Sequence, residues 1–118
     1  MPTFDSPPGT VISVPFPHTN AETRQRRPAL VIAETGPEQA PFLLWALMIT
    51  SATHRRWKGD VEIPDPAAVG LMIPSVIRTA KVATVEIARA DRLGSVGPET
   101  LAAVRDEIGR WLIAGHTA

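Results

Sequence analysis

A chain of 118 residues and 12.7 kDa has room for one domain, since domains commonly run from about 50 to 250 residues. Its 12 Lys+Arg balance 12 Asp+Glu, so the total charge lacks the basic excess that usually announces nucleic-acid binding. The absence of cysteine removes disulfides, thiolate metal sites and thiol nucleophiles together and fits a reducing compartment.

The first segment, Met1 to Pro8, carries Pro2, Asp5, Pro7 and Pro8. It reads as extended chain rather than a signal peptide. The longest apolar run, Phe42 to Ile49, is eight residues, against the roughly 20 that a membrane helix needs. A soluble, cytoplasmic protein without membrane contact is expected. Eleven of the 12 prolines fall in the first 74 residues, and a proline inside a helix costs about 3 kcal/mol, so this part is expected to be strands and loops.

Thr10 to Phe16 is β-branched and ends among Pro15 and Pro17, as a strand running into a turn does. Ala29 to Ala33, entered through Pro28, reads as a short buried strand, and Phe42 to Ile49 as a long one. Asp60 to Ile63 alternates polar and apolar, as a half-exposed strand would. Ser75 to Thr79 and Val82 to Ile87 read as two more strands separated by Ala80 and Lys81. After Gly97, Pro98 and Glu99 mark a helix start. Leu101, Val104, Ile108, Trp111 and Leu112 then share one helical face. The helix is expected over 98–114, stopping near Gly115. The prediction is a mainly β domain over 1–118: a small, strongly bent barrel closed or covered by one C-terminal helix.

The charge is unevenly spread. From His18 to Lys58 six basic residues, Arg24, Arg26, Arg27, Arg55, Arg56 and Lys58, face three acids; from Gly59 onward the count is six to eight. The basic groups fall in two expected loops, Thr19 to Arg27 and Ser51 to Lys58. Together with Trp57 they suit single-stranded nucleic acid, where cations hold phosphates and an aromatic face stacks a base. Trp57 equally suits an anchor for its own loop. Trp45 and Trp111 read as core or as dimer interface. His18, His54 and His116 are too far apart to suggest a shared metal ion. The scattered glycines form no phosphate loop, so no cofactor is expected.

Gly9 to Phe16, Arg27-Pro28, the strand Ala29 to Ile32, Ile49-Thr50, Ser75 to Arg78 and Arg92-Leu93-Gly94 occur in the order and spacing of the MazF/PemK toxins. The resemblance runs from Pro8 to about Leu112 and rests on short motifs in sequence rather than on any single one. It implies an SH3-like barrel of the CcdB/PemK type, a homodimer, and a metal-independent endoribonuclease acting on single-stranded RNA. It also implies a cognate antitoxin partner, with DNA reached only indirectly through that antitoxin.

By the same resemblance Arg27 and Thr50 are the catalytic pair. A guanidinium can donate two hydrogen bonds to a phosphorane, and a hydroxyl can donate to the same group. Arg78 matches a further catalytic arginine, but the aspartate that accompanies it two residues later in some relatives is replaced by Ala80. His18 is suited to take over the proton transfer, and His54 is an equal structural candidate, since imidazole exchanges protons near neutral pH. Each also reads as an exposed loop residue or a base contact. Arg24, Arg26, His54, Arg55, Arg56, Trp57 and Lys58 are the expected RNA-binding set. The competing reading, kept open by Ala80, is a non-catalytic toxin on the same barrel that grips a protein such as DNA gyrase.

Overall fold

The structure is a computed structural model and describes residues 6–16, 25–38 and 42–114. His18 and Arg24 lie outside the described residues. Six strands form one antiparallel sheet: β1 (Thr10–Phe16), β2 (Gln25–Thr35), β3 (Leu43–Ser51), β4 (Asp60–Glu62), β5 (Ser75–Glu86) and β6 (Asp91–Ser95). Their order across the sheet is β4-β5-β3-β2-β1-β6. A single helix, α1 (Pro98–Ala114), follows and packs on β4 and β5. No helix among the described residues is long and apolar enough to cross a membrane.

Both faces of the bent sheet are apolar. On the helix side Val11, Leu30, Leu47, Ile49, Ile77 and Val104 form one buried cluster. On the other side Ile12, Val14, Ala29, Val31, Leu44, Ala46 and Met48 form a second. Alternation along β1, β2 and β3 sends successive side chains to these two clusters in turn, which is why these runs are apolar without being simply amphipathic.

Three expectations change. β2 begins at Gln25 rather than Ala29, because β1 pairs with it down to Phe16↔Gln25; Arg26 and Arg27 are therefore strand residues with opposite faces, not members of one loop. The stretches around Val76 and Val85 are one strand, β5, bent where Leu47↔Val82 gives way to Ile49↔Ile77, so that Ala80 and Lys81 lie at a bulge within it rather than between two strands. The sixth strand, Asp91–Ser95, was not expected, since it is polar and ends near Gly97; pairing with β1 creates it.

Candidate functional site

The ladder between β2 and β3 ends at Ala29↔Met48. Next to it stands Pro28, which has no N–H with which to continue. The same register carried two residues further on each strand puts Arg27 opposite Thr50, on the face away from the helix. Thr50 pairs in turn with Val76 of β5 and Arg78 with Asp60 of β4, so Arg27, Thr50, Arg78 and Asp60 lie on one face of four adjacent strands.

A tight turn follows Thr50. Thr53 N–H donates to Ser51 Oγ (3.2 Å) and His54 N–H to Ser51 O (3.1 Å), the local bonding by which a serine opens a turn. The turn folds His54 back so that its Nδ1 lies 2.7 Å from Thr50 Oγ1. The expected catalytic threonine and one of the two candidate histidines are therefore in direct contact. Arg27 Nη2 donates to Gln25 Oε1 (3.2 Å) on the same strand face.

The chain then runs through exposed Arg55, Arg56, Trp57 and Lys58 before Gly59 turns it into β4. This basic loop is anchored from below by Arg78. The Arg78 guanidinium donates from Nη2 to Arg55 O and lies 4.1 Å from the centre of the Trp57 ring, a stacked cation geometry. Asp60 Oδ2 accepts the Trp57 N–H (2.9 Å) and lies 3.6 Å from Arg78 Nε and 3.9 Å from Arg56 Nε.

Two of the expected site residues, Arg78 and Trp57, meet beneath the loop. Arg78 is buried and directed into the loop rather than toward solvent. Trp57 lies over the Arg78 guanidinium, with the residue still 43% exposed. Arg26 departs further. Its guanidinium points to the opposite side of β2 from Arg27, where it meets Ser13 Oγ (3.0 Å), the carbonyls of Ser13 and Arg89, and Asp91 Oδ2 (2.8 Å). It joins β2 to β6 instead of joining Arg27. Asp60 was missed by sequence reasoning. Its signal, a carboxylate at the first position of an alternating strand, becomes informative only once β4 is known to pair with β5.

On the helix side lies an apolar groove of about 510 Å³, lined by Ile32, Trp45, Leu47, Val82, Trp111 and Leu112 among others. Trp45 is thus not core: it is 48% exposed at the groove rim, with Val82 at 58% and Leu112 at 69%. Among the described residues no group of three or more His, Cys, Asp or Glu is placed to hold a metal ion.

A family model for the PemK-like, MazF-like toxin of type II toxin–antitoxin systems matches residues 8–112. The chain belongs to this toxin family. No protein of curated function matches the sequence significantly. Among solved structures this MazF-like toxin is similar to MazF from Deinococcus radiodurans, at 23% identity and a TM-score of 0.70 over 93% of this chain and 98% of that chain. A MazE–MazF complex from the same organism aligns at 23% identity and a TM-score of 0.66, covering 93% and 97%. An endoribonuclease in complex with its cognate antitoxin from a mycobacterial species aligns at 18% identity and a TM-score of 0.65, covering 90% and 93%. At these identities the likeness establishes the MazF-like fold, a six-stranded antiparallel sheet with one C-terminal helix.

Proposed function

We propose that this MazF-like toxin is an endoribonuclease that cuts single-stranded RNA, messenger RNA included, without a metal ion and so stops translation and growth. The observation that carries the reading is the 2.7 Å contact between Thr50 Oγ1 and His54 Nδ1, formed at the strand end whose register faces Arg27.

RNA brings its own nucleophile. When Nδ1–H donates to Thr50 Oγ1, the other imidazole nitrogen, Nε2, carries a lone pair and accepts the 2′-OH proton. The O2′–P bond forms as the P–O5′ bond breaks, leaving a 2′,3′-cyclic phosphate and a 5′-hydroxyl that takes its proton from water, and the hydroxide so formed takes the proton back from the His54 imidazolium. The Thr50 hydroxyl, accepting from His54, keeps its own hydrogen to donate to a non-bridging oxygen. The Arg27 guanidinium meets the charge that develops on the phosphorane. Arg55, Arg56 and Lys58 face the RNA backbone from the loop, and Trp57 presents the exposed part of its ring to a base.

The apolar groove supports a homodimer, since an exposed apolar patch of this kind marks an interaction surface. The basic loop supports an antitoxin with an acidic, initially disordered segment that competes with RNA there. Purified protein is expected to cut varied single-stranded RNA in the presence of EDTA. Arg27→Ala is expected to lower the rate at least about a hundredfold, the usual loss on removing one transition-state donor. Intact RNA after long incubation with folded protein would overturn the reading in favour of a toxin that binds a protein target.

A further inference from the structure

We propose that Asp60 is a positioning residue of this site: from β4, through Arg78 and Trp57, its carboxylate sets the basic loop in its RNA-binding arrangement. The inference rests on the endoribonuclease reading for its kinetic part and on geometry alone for its structural part.

Asp60 and Arg78 are directly paired across β4 and β5, so both side chains emerge on the face that carries Arg27 and Thr50. The Asp60 side chain is only 1% exposed. A carboxylate this deeply buried is costly unless its charge is used. One oxygen, Oδ2, is used three times: it accepts the Trp57 N–H and faces the Nε atoms of Arg78 and Arg56. The other, Oδ1, is buried without a hydrogen-bond partner among the described residues, and so is Arg78 Nε. A neutral acceptor would serve Trp57 N–H alone at lower cost. What the charge adds is a hold on Arg78.

Arg78 is in turn the floor of the loop. It bonds the Arg55 carbonyl and stacks under the Trp57 ring. Asp60 therefore grips the loop at both ends of one short path, directly at Trp57 N–H and indirectly through Arg78 at Arg55 O and the indole. Without the carboxylate charge, Arg78 loses its fixed orientation, and Arg55, Arg56, Trp57 and Lys58 lose the common floor that aligns them. Thr50 and His54 are less affected. Their contact is secured by the Ser51 turn and by Ala52 N–H donating to Pro74 O (2.9 Å).

This division of labour gives a distinctive kinetic signature. Asp60→Asn keeps an acceptor for Trp57 N–H and removes the charge. It is expected to raise KM for single-stranded RNA on the order of tenfold, with kcat within about threefold, as when binding contacts common to substrate and transition state are lost. A merely structural role would reduce the fraction of folded enzyme and so lower the apparent kcat at unchanged KM. Asp60→Glu, which restores the charge at a different reach, is expected to recover part of the KM loss.

The structural part is read by 19F NMR of protein labelled with 5-fluorotryptophan, whose three tryptophans are Trp45, Trp57 and Trp111. Single Trp→Phe variants assign the resonances. Asp60→Asn is expected to shift and broaden the Trp57 resonance and leave Trp45 unmoved. An unchanged KM in folded Asp60→Asn, or an unmoved Trp57 resonance, would overturn the proposal. If the wild-type protein cuts no RNA, the endoribonuclease reading fails by itself, and the Trp57 resonance still decides whether Asp60 positions the loop.

Discussion

Under the proposed endoribonuclease reading, the hydrogen bond between Thr50 and His54 gives each imidazole nitrogen its own task. With Nδ1 2.7 Å from the threonine hydroxyl, that reading leaves Nε2 as the nitrogen to exchange a proton with RNA. A general base of this kind contributes roughly a hundredfold or more to a rate. His54→Ala is therefore expected to slow RNA cleavage by about that factor, and added imidazole, which fits the space vacated by the ring, is expected to restore part of it. Thr50→Val keeps the shape and loses the hydroxyl, with a loss on the order of tenfold or more for a donor to a charged group. A single-turnover assay on excess enzyme measures both. Wild-type rates in His54→Ala, with slow cleavage in His18→Ala, would reassign the base to the other histidine. The sequence placed Thr50 correctly at a strand end, whereas the partnership with His54 depends on a hydroxyl-bonded turn that composition does not reveal. Arg26 shows the opposite limit. Beside Arg27 in sequence it looked like part of one patch, and strand alternation carried it to Asp91 on the other side.

Between elements, Gly59 is where the basic loop, β5 and the helix meet. Its φ is +88°, and a Cβ there would lie 2.7 Å from Thr79 Oγ1 and 3.1 Å from Trp111 Nε1. Thr79 Oγ1 donates to Gly59 O (2.8 Å) and accepts from Trp111 Nε1 (3.0 Å), so the last turns of α1 are tied to the turn that ends the loop. Gly59→Ala is expected to cost about 1–3 kcal/mol, combining left-handed strain with crowding. Gly109, inside α1, faces open space where a Cβ would stand, and Gly109→Ala is expected to add about 0.5–1 kcal/mol. Chemical denaturation of the two variants, which should move in opposite directions, checks both. The elements themselves were largely legible. β-branched runs gave β1 and both halves of β5, the unbroken apolar run from Phe42 to Ile49 gave β3, and Pro98 with the apolar spacing after it gave α1. What was not legible came from pairing. The extension of β2 to Gln25 and the whole of β6 exist because β1 offers them an edge, and local composition carries no record of a distant edge.

For the whole molecule, the zero net charge conceals a separation that the fold partly preserves. Arg26 is neutralised by Asp91, and Arg56 and Arg78 share Asp60, while Arg55 and Lys58 remain exposed in the loop that follows His54. The apolar groove is on the opposite side of the sheet, and its lining includes Trp45 and Val82 from neighbouring strands and Trp111 and Leu112 from the helix. Leaving this surface in water forgoes about 25 cal/mol for each Å² of apolar area that a second copy would bury, so self-association is the expected solution state. Sedimentation equilibrium at micromolar concentration should give about twice the 12.7 kDa chain mass, because a hydrophobic interface of ordinary size supports a stable dimer. Val82→Glu places a charge at the groove rim, where burial against a partner is strongly unfavourable. It should give the mass of one chain with the circular dichroism of the folded sheet retained. A wild-type protein with the mass of one chain throughout that range would show that the groove serves a different partner. A dimeric Val82→Glu would place the contact between copies on another surface, and the exposed Trp45 would then need a different account.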